Sequence, residues 1–302
     1  MKKLFAITFL LVSNLSLCQL KAVITNSETK ERIPYVNIWV ENENIGTTSN
    51  EKGEFELVFD GTKIIVFSAI GFKTNMISSD SIKKFIVLKP KIIELDEIVI
   101  NSNKINKEAV IGNFKKSKVN HYFSCGKQPW ITARFFRSEK EYNETPYLEK
   151  IKLLTNSDIK DAKFSIRLYS ISENGEPDNY INRKNIIGIA KKGKKITVVD
   201  LSDLDIEFPK QGFFIAIEWL IIEENIHEYT YTMFDSKKKL KGISYEPSIG
   251  TVPSETDENS WIFNQGKWRR IWQNKDPNKK IRYSKKYRNK YSLIAIELSL
   301  TN

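Results

Sequence analysis

The sequence predicts an all-β protein built from two β-sandwich domains, and three observations support this prediction. Aromatic residues are frequent, with 17 Phe, 12 Tyr and 6 Trp, and together with many Ile and Val they favour strands over helices. Apolar residues alternate with polar ones over short stretches, as in residues 54–59 (EFELVF) and 162–172 (AKFSIRLYSIS). No stretch keeps a helical period for long. With 28% charged residues, the chain has the composition of a folded protein rather than a disordered one.

The charge distribution divides the chain into two parts. Residues 19–100 carry a net charge of −2, whereas residues 101–302 carry +11. Residues 101–120 are polar and basic, and we interpret them as a linker. We therefore predict one domain over residues 19–100 and a larger one over residues 121–302. About ten short predicted strands in the larger domain favour a jelly-roll-like sandwich.

The N-terminus has the pattern of a secretory signal peptide. Lys2 and Lys3 precede a short apolar stretch, and Cys18 is a small residue ahead of a cleavage position at Gln19. We therefore predict residues 1–18 as a signal peptide, no transmembrane span, and an exported protein. In a second interpretation the signal is that of a lipoprotein and Cys18 carries the lipid, although Leu17 stands where a small residue is usual.

Residues 46–57 (GTTSNEKGEFEL) raise the question of whether this stretch binds a ligand or forms a turn. Strand patterns stand on both sides, and no helix follows whose N-terminus could hold a phosphate. Gly53 can supply the positive φ that a tight hairpin needs. We predict a turn.

The motifs of the first domain resemble those of the carboxypeptidase regulatory-like domain. They occur in order as IPYVNIWVENENIGTTSNEKGEFEL, IIVFSAIGFKT and VLKPKIIELDEIVI, within about residues 20–100. The resemblance implies a seven-stranded sandwich like that of transthyretin. It also implies an exported protein of the Bacteroidetes type, periplasmic or associated with the outer membrane, where this domain often precedes TonB-dependent receptors. Only about 200 residues follow the domain, too few for the plug and barrel of a receptor.

The resemblance does not imply peptidase activity, because the domain accompanies some zinc carboxypeptidases but is not their catalytic part. His121 and His227 are the only histidines, and both lie outside the resembling region without a metal-binding spacing. We expect no cofactor and no metal. Cys125 is interpreted as a small buried side chain rather than a nucleophile.

Glu218 is the carboxylate with the most unusual sequence context. It shares one predicted strand face with Phe214, Ala216 and Leu220. A glycosidase requires two facing carboxylates, and the sequence does not show a second one facing Glu218. An ion pair with an arginine such as Arg167 is the simpler interpretation, and we favour it.

The C-terminal part combines aromatic and basic residues. Residues 275–291 hold eight Lys or Arg and one Asp, punctuated by tyrosines. In an exported protein such a surface fits an acidic glycan or lipopolysaccharide better than nucleic acid. The other interpretation is that the aromatic residues fill the core and the lysines are solvated. The predicted ligand-binding residues are Trp261, Trp268, Arg269, Arg270, Trp272, Tyr283, Lys285, Lys286 and Tyr287.

These features together predict a non-catalytic binding or scaffolding protein of the bacterial cell envelope. The first domain would present strand edges and loops to a protein partner, and the second would carry the ligand site. Two alternatives are a glycan-active enzyme using carboxylates of the second domain and a purely structural envelope protein. Inward acids in an open cleft would favour the enzyme, whereas exposed Trp and Lys on a flat face would favour the binding protein.

Overall fold

A computed structural model describes residues 17–91, 107–233, 236–275 and 285–302. Residues 1–16 of the predicted signal peptide, the side chain of Cys18 and the strand predicted over residues 92–100 lie outside the described part. The chain divides into two compact units between Lys91 and Ile92. Among the described residues, none of the helices has the length and apolar character that a membrane span requires.

The first unit is a sandwich of seven strands in two sheets, which confirms the predicted fold. One sheet has three strands in the order β4-β1-β7, and the other has four in the order β3-β2-β5-β6. A short 3₁₀ helix, Ser79–Ser81, precedes β7. The strands are β1 (Leu17–Asn26), β2 (Asn37–Val40), β3 (Gly46–Thr48), β4 (Glu54–Asp60), β5 (Ile64–Ser68), β6 (Asn75–Ser78) and β7 (Phe85–Leu88).

Apolar residues from both sheets meet between them. Ile24 and Leu57 from the three-stranded sheet share one core with Ile38 and Phe67 from the four-stranded sheet. Strand β4 shows how the alternation produces this core, because its residues alternate between buried and exposed along its length. Burial of alternate side chains between two sheets is what period-two patterning predicts.

Residues 49–53, which lead into β4, form a turn, as predicted, but β3 and β4 belong to different sheets and do not form the hairpin that the sequence suggested. Gly53 has a φ of +69°, and its N–H donates to the carbonyl oxygen of Asn50 at 2.9 Å. The Asn50 side chain accepts bonds from the backbone N–H groups of Lys52 and Glu54. A Cβ on residue 53 would lie 3.0 Å from the carbonyl oxygen of Ile24. The glycine is therefore needed for backbone conformation and for space.

The second unit contains fifteen strands in its described part, more than the ten or so that the sequence predicts. Several of the additional strands have only four residues, too few for an alternating pattern to be recognised. The strands are β8 (Glu108–Ile111), β9 (Tyr122–Cys125), β10 (Ile131–Phe136), β11 (Tyr147–Ser157), β12 (Ala162–Ile171), β13 (Pro177–Tyr180), β14 (Ile186–Ala190), β15 (Gly193–Asp200), β16 (Phe213–Trp219), β17 (Ile226–Thr232), β18 (Lys239–Ser254), β19 (Ser260–Asn264), β20 (Lys267–Arg270), β21 (Tyr291–Ile294) and β22 (Ile296–Thr301). The short 3₁₀ helices are Lys116–Lys118, Lys140–Glu144, Ser202–Leu204 and Glu223–Asn225.

These fifteen strands form two sheets that enclose a large core. The first has the order β13-β12-β16-β10-β19-β20, with β14 also paired to β12. The second has the order β17-β18-β11-β22-β8, with β15, β21 and β9 attached to it. Ile151 and Leu298 of the second sheet share a core with Phe164 and Ile217 of the first. The second unit is therefore also a β-sandwich, and the all-β prediction is confirmed.

Part of the segment interpreted as a linker belongs to this second sandwich. Strand β8 pairs with β22, with Ala109 opposite Leu300. Three of its four residues are apolar (EAVI), but none is fully buried, because the strand lies at the end of the sheet, where one edge meets solvent. A four-residue strand of this kind is too short to stand out from the polar residues around it.

Candidate functional site

The central part of the predicted ligand-binding region is the hairpin of β19 and β20. A two-residue turn joins the strands, and both of its residues have positive φ, +51° at Gln265 and +75° at Gly266. Positive φ at both positions defines the type I′ turn that matches the twist of a hairpin. The sequence SWIFNQGKWRRIW (residues 260–272), with Gly266 near its centre, predicts a hairpin turned at this glycine, and the structure has its turn there. Because β19 pairs with β10 on its other side, β20 is the edge strand of its sheet.

The alternation of strand β20 divides the predicted site residues between two faces. Trp261 lies opposite Arg270 and Phe263 lies opposite Trp268, so these side chains share one face. Arg269 lies opposite Ile262, which belongs to the core inside the sandwich, so Arg269 is on the other face. The two adjacent arginines are both exposed, but they point to opposite sides of the sheet edge.

Trp261 is buried rather than available to a ligand. Only 4% of its surface is exposed, and it packs with Trp268 in an aromatic cluster on the face of the sheet turned away from the main core. The Arg270 guanidinium lies 5.0 Å from the centre of the Trp261 ring and 3.7 Å from the Asp257 carboxylate. The prediction that Trp261 contacts a ligand does not fit this burial, because its ring is already covered by protein.

Tyr287 is also part of the core, although its neighbours in the sequence are basic. It is fully buried, its hydroxyl donates to the carbonyl oxygen of Thr251 at 2.6 Å, and its ring stacks on His121 at 5.0 Å. Burial raises the pKa of the Tyr287 hydroxyl. Tyr287 therefore fixes its segment to the sandwich, and we do not retain it as a ligand-binding residue.

The remaining predicted residues are more accessible. Trp272 follows β20 and is 57% exposed. Lys285 and Lys286 are exposed, and the ammonium group of Lys286 donates to the carbonyl oxygen of Lys118 at 3.1 Å. Tyr283 lies outside the described residues. Of the predicted residues on and next to β20, Arg269, Arg270 and Trp272 are thus the exposed ones.

Glu218 forms a buried ion pair with Arg167, as predicted. The pair bridges neighbouring strands β16 and β12, with Arg167 Nε 2.6 Å from Glu218 Oε2. Burial alone would lower the pKa of Arg167, but the Glu218 carboxylate raises it above its ordinary value. The guanidinium therefore stays charged, and it also donates to Asn185 Oδ1 at 3.4 Å. Glu218 is thus held as a structural partner of Arg167 rather than as a free acid.

Three other carboxylates, Asp203, Asp205 and Glu207, line an open groove together with Arg183 and Lys184. All three acids are exposed to solvent. Carboxyl groups that act as general acids are usually set apart by an apolar or charged environment that shifts their pKa. The groove does not provide the inward acids that would favour an enzyme.

Cys125 lies in the core, which confirms its interpretation as a buried side chain. It is 0% exposed, and its Sγ donates weakly to the carbonyl oxygens of Gly126 and Gln128. Burial raises the pKa of the Cys125 thiol to about 12. Because the thiolate is the reactive form of cysteine, this thiol is inert in the folded protein.

We expect a Cys18→Ser variant, in which Cys125 is the one thiol, to react with a thiol reagent at pH 8 at least about 100-fold more slowly when folded than in 6 M guanidinium chloride. The rate of colour release from a disulfide reagent measures this difference. Fast labelling of the folded variant would show that Cys125 is accessible, contrary to its burial here.

Comparison with known proteins identifies the first unit but not the second. The first unit belongs to a class of small β-sandwich modules without a catalytic centre of their own. Residues 20–100 match the CarboxypepD_reg-like domain family, so this unit is a carboxypeptidase regulatory-like domain. A comparison with curated proteins finds no match to the chain.

The solved structures that resemble the chain are distant. A chain from the structure of infectious bursal disease virus Gx strain has 9% identity and a TM-score of 0.25, with 89% of this chain and 61% of that chain covered. A chain from the T13 viral particle of the same virus has 10% identity and a TM-score of 0.26, with 94% and 61% covered. The chain thus spans about 61% of the length of these two. A likeness this distant does not bear on function.

Proposed function

We propose that this chain is an exported, non-catalytic binding protein of the bacterial cell envelope, and that its second unit binds an anionic glycan or lipopolysaccharide at the edge of strand β20. The observation that carries the proposal is that Arg269, Arg270 and Trp272, which lie within four consecutive residues at the sheet edge, are all exposed. Single exposed apolar side chains are common on protein surfaces, so the proposal rests on the combination of an aromatic ring with cations, which suits an anionic sugar ligand.

The chemistry of these side chains matches such a ligand. Guanidinium groups bind carboxylates and phosphates through paired hydrogen bonds. The indole of Trp272 offers a flat apolar surface on which a sugar ring can stack. The net charge of +11 on residues 101–302 attracts polyanions over a longer range.

The first unit supports a binding role rather than a catalytic one. Carboxypeptidase regulatory-like domains are non-catalytic, and residues 20–100 form such a domain. We propose that its strand edges and loops contact a protein partner in the periplasm or at the outer membrane. The charge on its surface differs in sign from that of the second part, which fits two different partners.

The alternative of a glycan-active enzyme has less support in the second unit. Glu218, the strongest candidate acid, is buried and paired with Arg167 at 2.6 Å. The acids of the open groove are exposed. Neither arrangement is the pair of inward, facing carboxyl groups that glycoside hydrolysis uses.

The edge site predicts a specific loss of binding. We expect Arg269→Gln with Arg270→Gln to weaken binding of the full chain to lipopolysaccharide or polygalacturonate at least about tenfold at low salt, because exposed charge contacts dominate there. The matched control is Lys239→Gln with Lys241→Gln, which removes the same charge from two exposed positions on β18. Surface-immobilised polysaccharide, with neutral dextran as a reference, measures the affinities.

The outcomes separate the alternatives. Loss in the arginine variant but not in the lysine variant supports the site. Equal losses in both would mean unspecific charge attraction and would overturn it. We expect Trp272→Ala to remove the part of binding that survives high salt, since stacking is not screened. No binding by the unmodified chain would favour the purely structural alternative.

A further inference from the structure

Three side chains with metal-ligating atoms converge at one place on the second sheet of the second unit. They are Asp158, in the turn after β11, His227 on β17 and Glu246 on β18. His227 Nδ1 lies 3.5 Å from Asp158 Oδ2 and 3.7 Å from Glu246 Oε1. The three residues are far apart in the sequence, so folding alone brings them together.

The strand registers explain this convergence. His227 lies opposite Ser244, so these two side chains are on the same face of the sheet. Glu246 is two residues further along β18 than Ser244, and its side chain is therefore on that face as well. Asn156 lies opposite Ser248, and the same register continued by two residues places Asp158 beside Glu246. The positions of the three residues are therefore fixed by the sheet itself.

Two carboxyl groups and one imidazole meet at this place. Glu246 is buried, with 4% of its surface exposed, and the Asp158 carboxylate lies close to it. Among the described residues, no Lys or Arg forms an ion pair with either carboxylate, and His227 is the one titratable base within 4 Å. The Ser244 hydroxyl donates to Glu246 Oε1 at 2.9 Å and orients that oxygen. Two carboxylates around one imidazole form an environment that favours a divalent cation.

The two distances from His227 match those between ligands of one tetrahedral metal ion, and the two carboxylates lie within 4.8 Å of each other. With bonds of about 2.0–2.2 Å and near-tetrahedral angles, two ligands of Zn²⁺ are about 3.4 Å apart. The observed separations from His227 are 3.5 and 3.7 Å. A nitrogen ligand disfavours Ca²⁺ and Mg²⁺, which prefer oxygen atoms alone. We propose that Asp158, His227 and Glu246 bind a divalent transition-metal ion of the Zn²⁺ type.

The site is also open to an ion from solution. The Asp158 side chain is 63% exposed and that of His227 is 29% exposed, while Glu246 lies beneath them. Three protein ligands leave a fourth position for water or for a group from another molecule. This proposal is independent of the ligand surface on β20.

Titration of the chelator-treated full chain with Zn²⁺ by isothermal calorimetry tests the site. We expect one Zn²⁺ per chain and no comparable binding of Mg²⁺ or Ca²⁺. Removing a residue that only hydrogen-bonds to a metal ligand costs about 10–100-fold in metal affinity. His227 is proposed to be a ligand itself, so we expect His227→Ala to lower the Zn²⁺ affinity at least about 100-fold. The matched control is His121→Ala, which removes the other histidine and should leave the affinity unchanged. The ring ¹⁵N resonance of His227 Nδ1 should shift on addition of Zn²⁺, whereas those of His121 should not.

Three results would overturn the proposal. They are the absence of stoichiometric Zn²⁺ binding by the unmodified chain, an equal affinity of His227→Ala and the unmodified chain, and an unmoved His227 resonance. If circular dichroism shows that His227→Ala is unfolded, Asp158→Asn decides instead, because its side chain is largely in solvent and its loss leaves the fold intact. An unchanged affinity in Asp158→Asn would then overturn the three-ligand site, and a loss of about tenfold or more would support it.

Discussion

Replacing Arg167 with Met is expected to lower the free energy of unfolding of the second unit by about 3–5 kcal/mol. The substitution leaves the Glu218 carboxylate without its partner in a place where Arg167 is 0% and Glu218 3% exposed. An ionised carboxylate in such surroundings has lost its water and gains no compensating cation. Urea unfolding monitored by tryptophan fluorescence measures the effect, because five of the six tryptophans lie in the second unit.

The double variant Arg167→Met with Glu218→Leu provides the control for this prediction. Apolar side chains of similar size in place of a buried ion pair are often neutral for stability. We therefore expect the double variant to be clearly more stable than Arg167→Met alone. A double variant as unstable as the single one would show that the loss comes from packing of the arginine side chain rather than from the uncompensated charge.

The second large effect is expected at Trp219. This residue is 1% exposed, stacks on Trp130 with ring centres 4.8 Å apart, and donates from Nε1 to the carbonyl oxygen of Pro247 at 2.7 Å. Truncation to Ala opens a large cavity and should cost about 3–5 kcal/mol. Trp219→Phe keeps most of the volume but leaves the Pro247 oxygen without its donor, which should cost about 1–3 kcal/mol.

Trp272→Ala is the matched control for Trp219→Ala, because it removes an indole ring of the same size from the protein surface. Its side chain is 57% exposed, so the free energy of unfolding should change by about 0.5 kcal/mol or less. Chemical denaturation with circular dichroism compares the three variants. A large loss in Trp272→Ala would mean that its ring is packed in solution, and the proposal that it contacts a ligand would then fail.

The sequence was sufficient to predict the parts of the fold that depend on local patterns. Alternation along β4 placed Phe55, Leu57 and Phe59 on the buried face, and all three are buried. Alternation along the segment that forms β16 likewise put Glu218 on a strand face with apolar residues. An ion pair with an arginine was therefore the simplest interpretation of this carboxylate. Gly53 and Gly266 marked turns because few other residues adopt the backbone conformations that those turns require.

The parts that were missed depend on contacts between distant segments. Tyr287 stands in a run of basic residues, and only its packing on His121 and Thr251 shows that it is buried. The group of Asp158, His227 and Glu246 has no local spacing that would mark a metal site. It arises from two strand registers, which no single stretch of the sequence specifies.

The position of β20 at the end of its sheet has a consequence for self-association. An unpaired strand offers its backbone groups to a strand from another molecule, and natural proteins prevent such growth with charges or proline. The edge strand β20 carries three positive charges, from Lys267, Arg269 and Arg270. The opposite edge strand of the same sheet, β13, begins with Pro177. Pairing of two β20 edges from different molecules would therefore be opposed by electrostatic repulsion. Pairing onto β13 would lack the backbone N–H donor that a proline does not have. Both features disfavour continuation of the sheet into a fibre, so the arginines proposed to hold a ligand would also act against self-association.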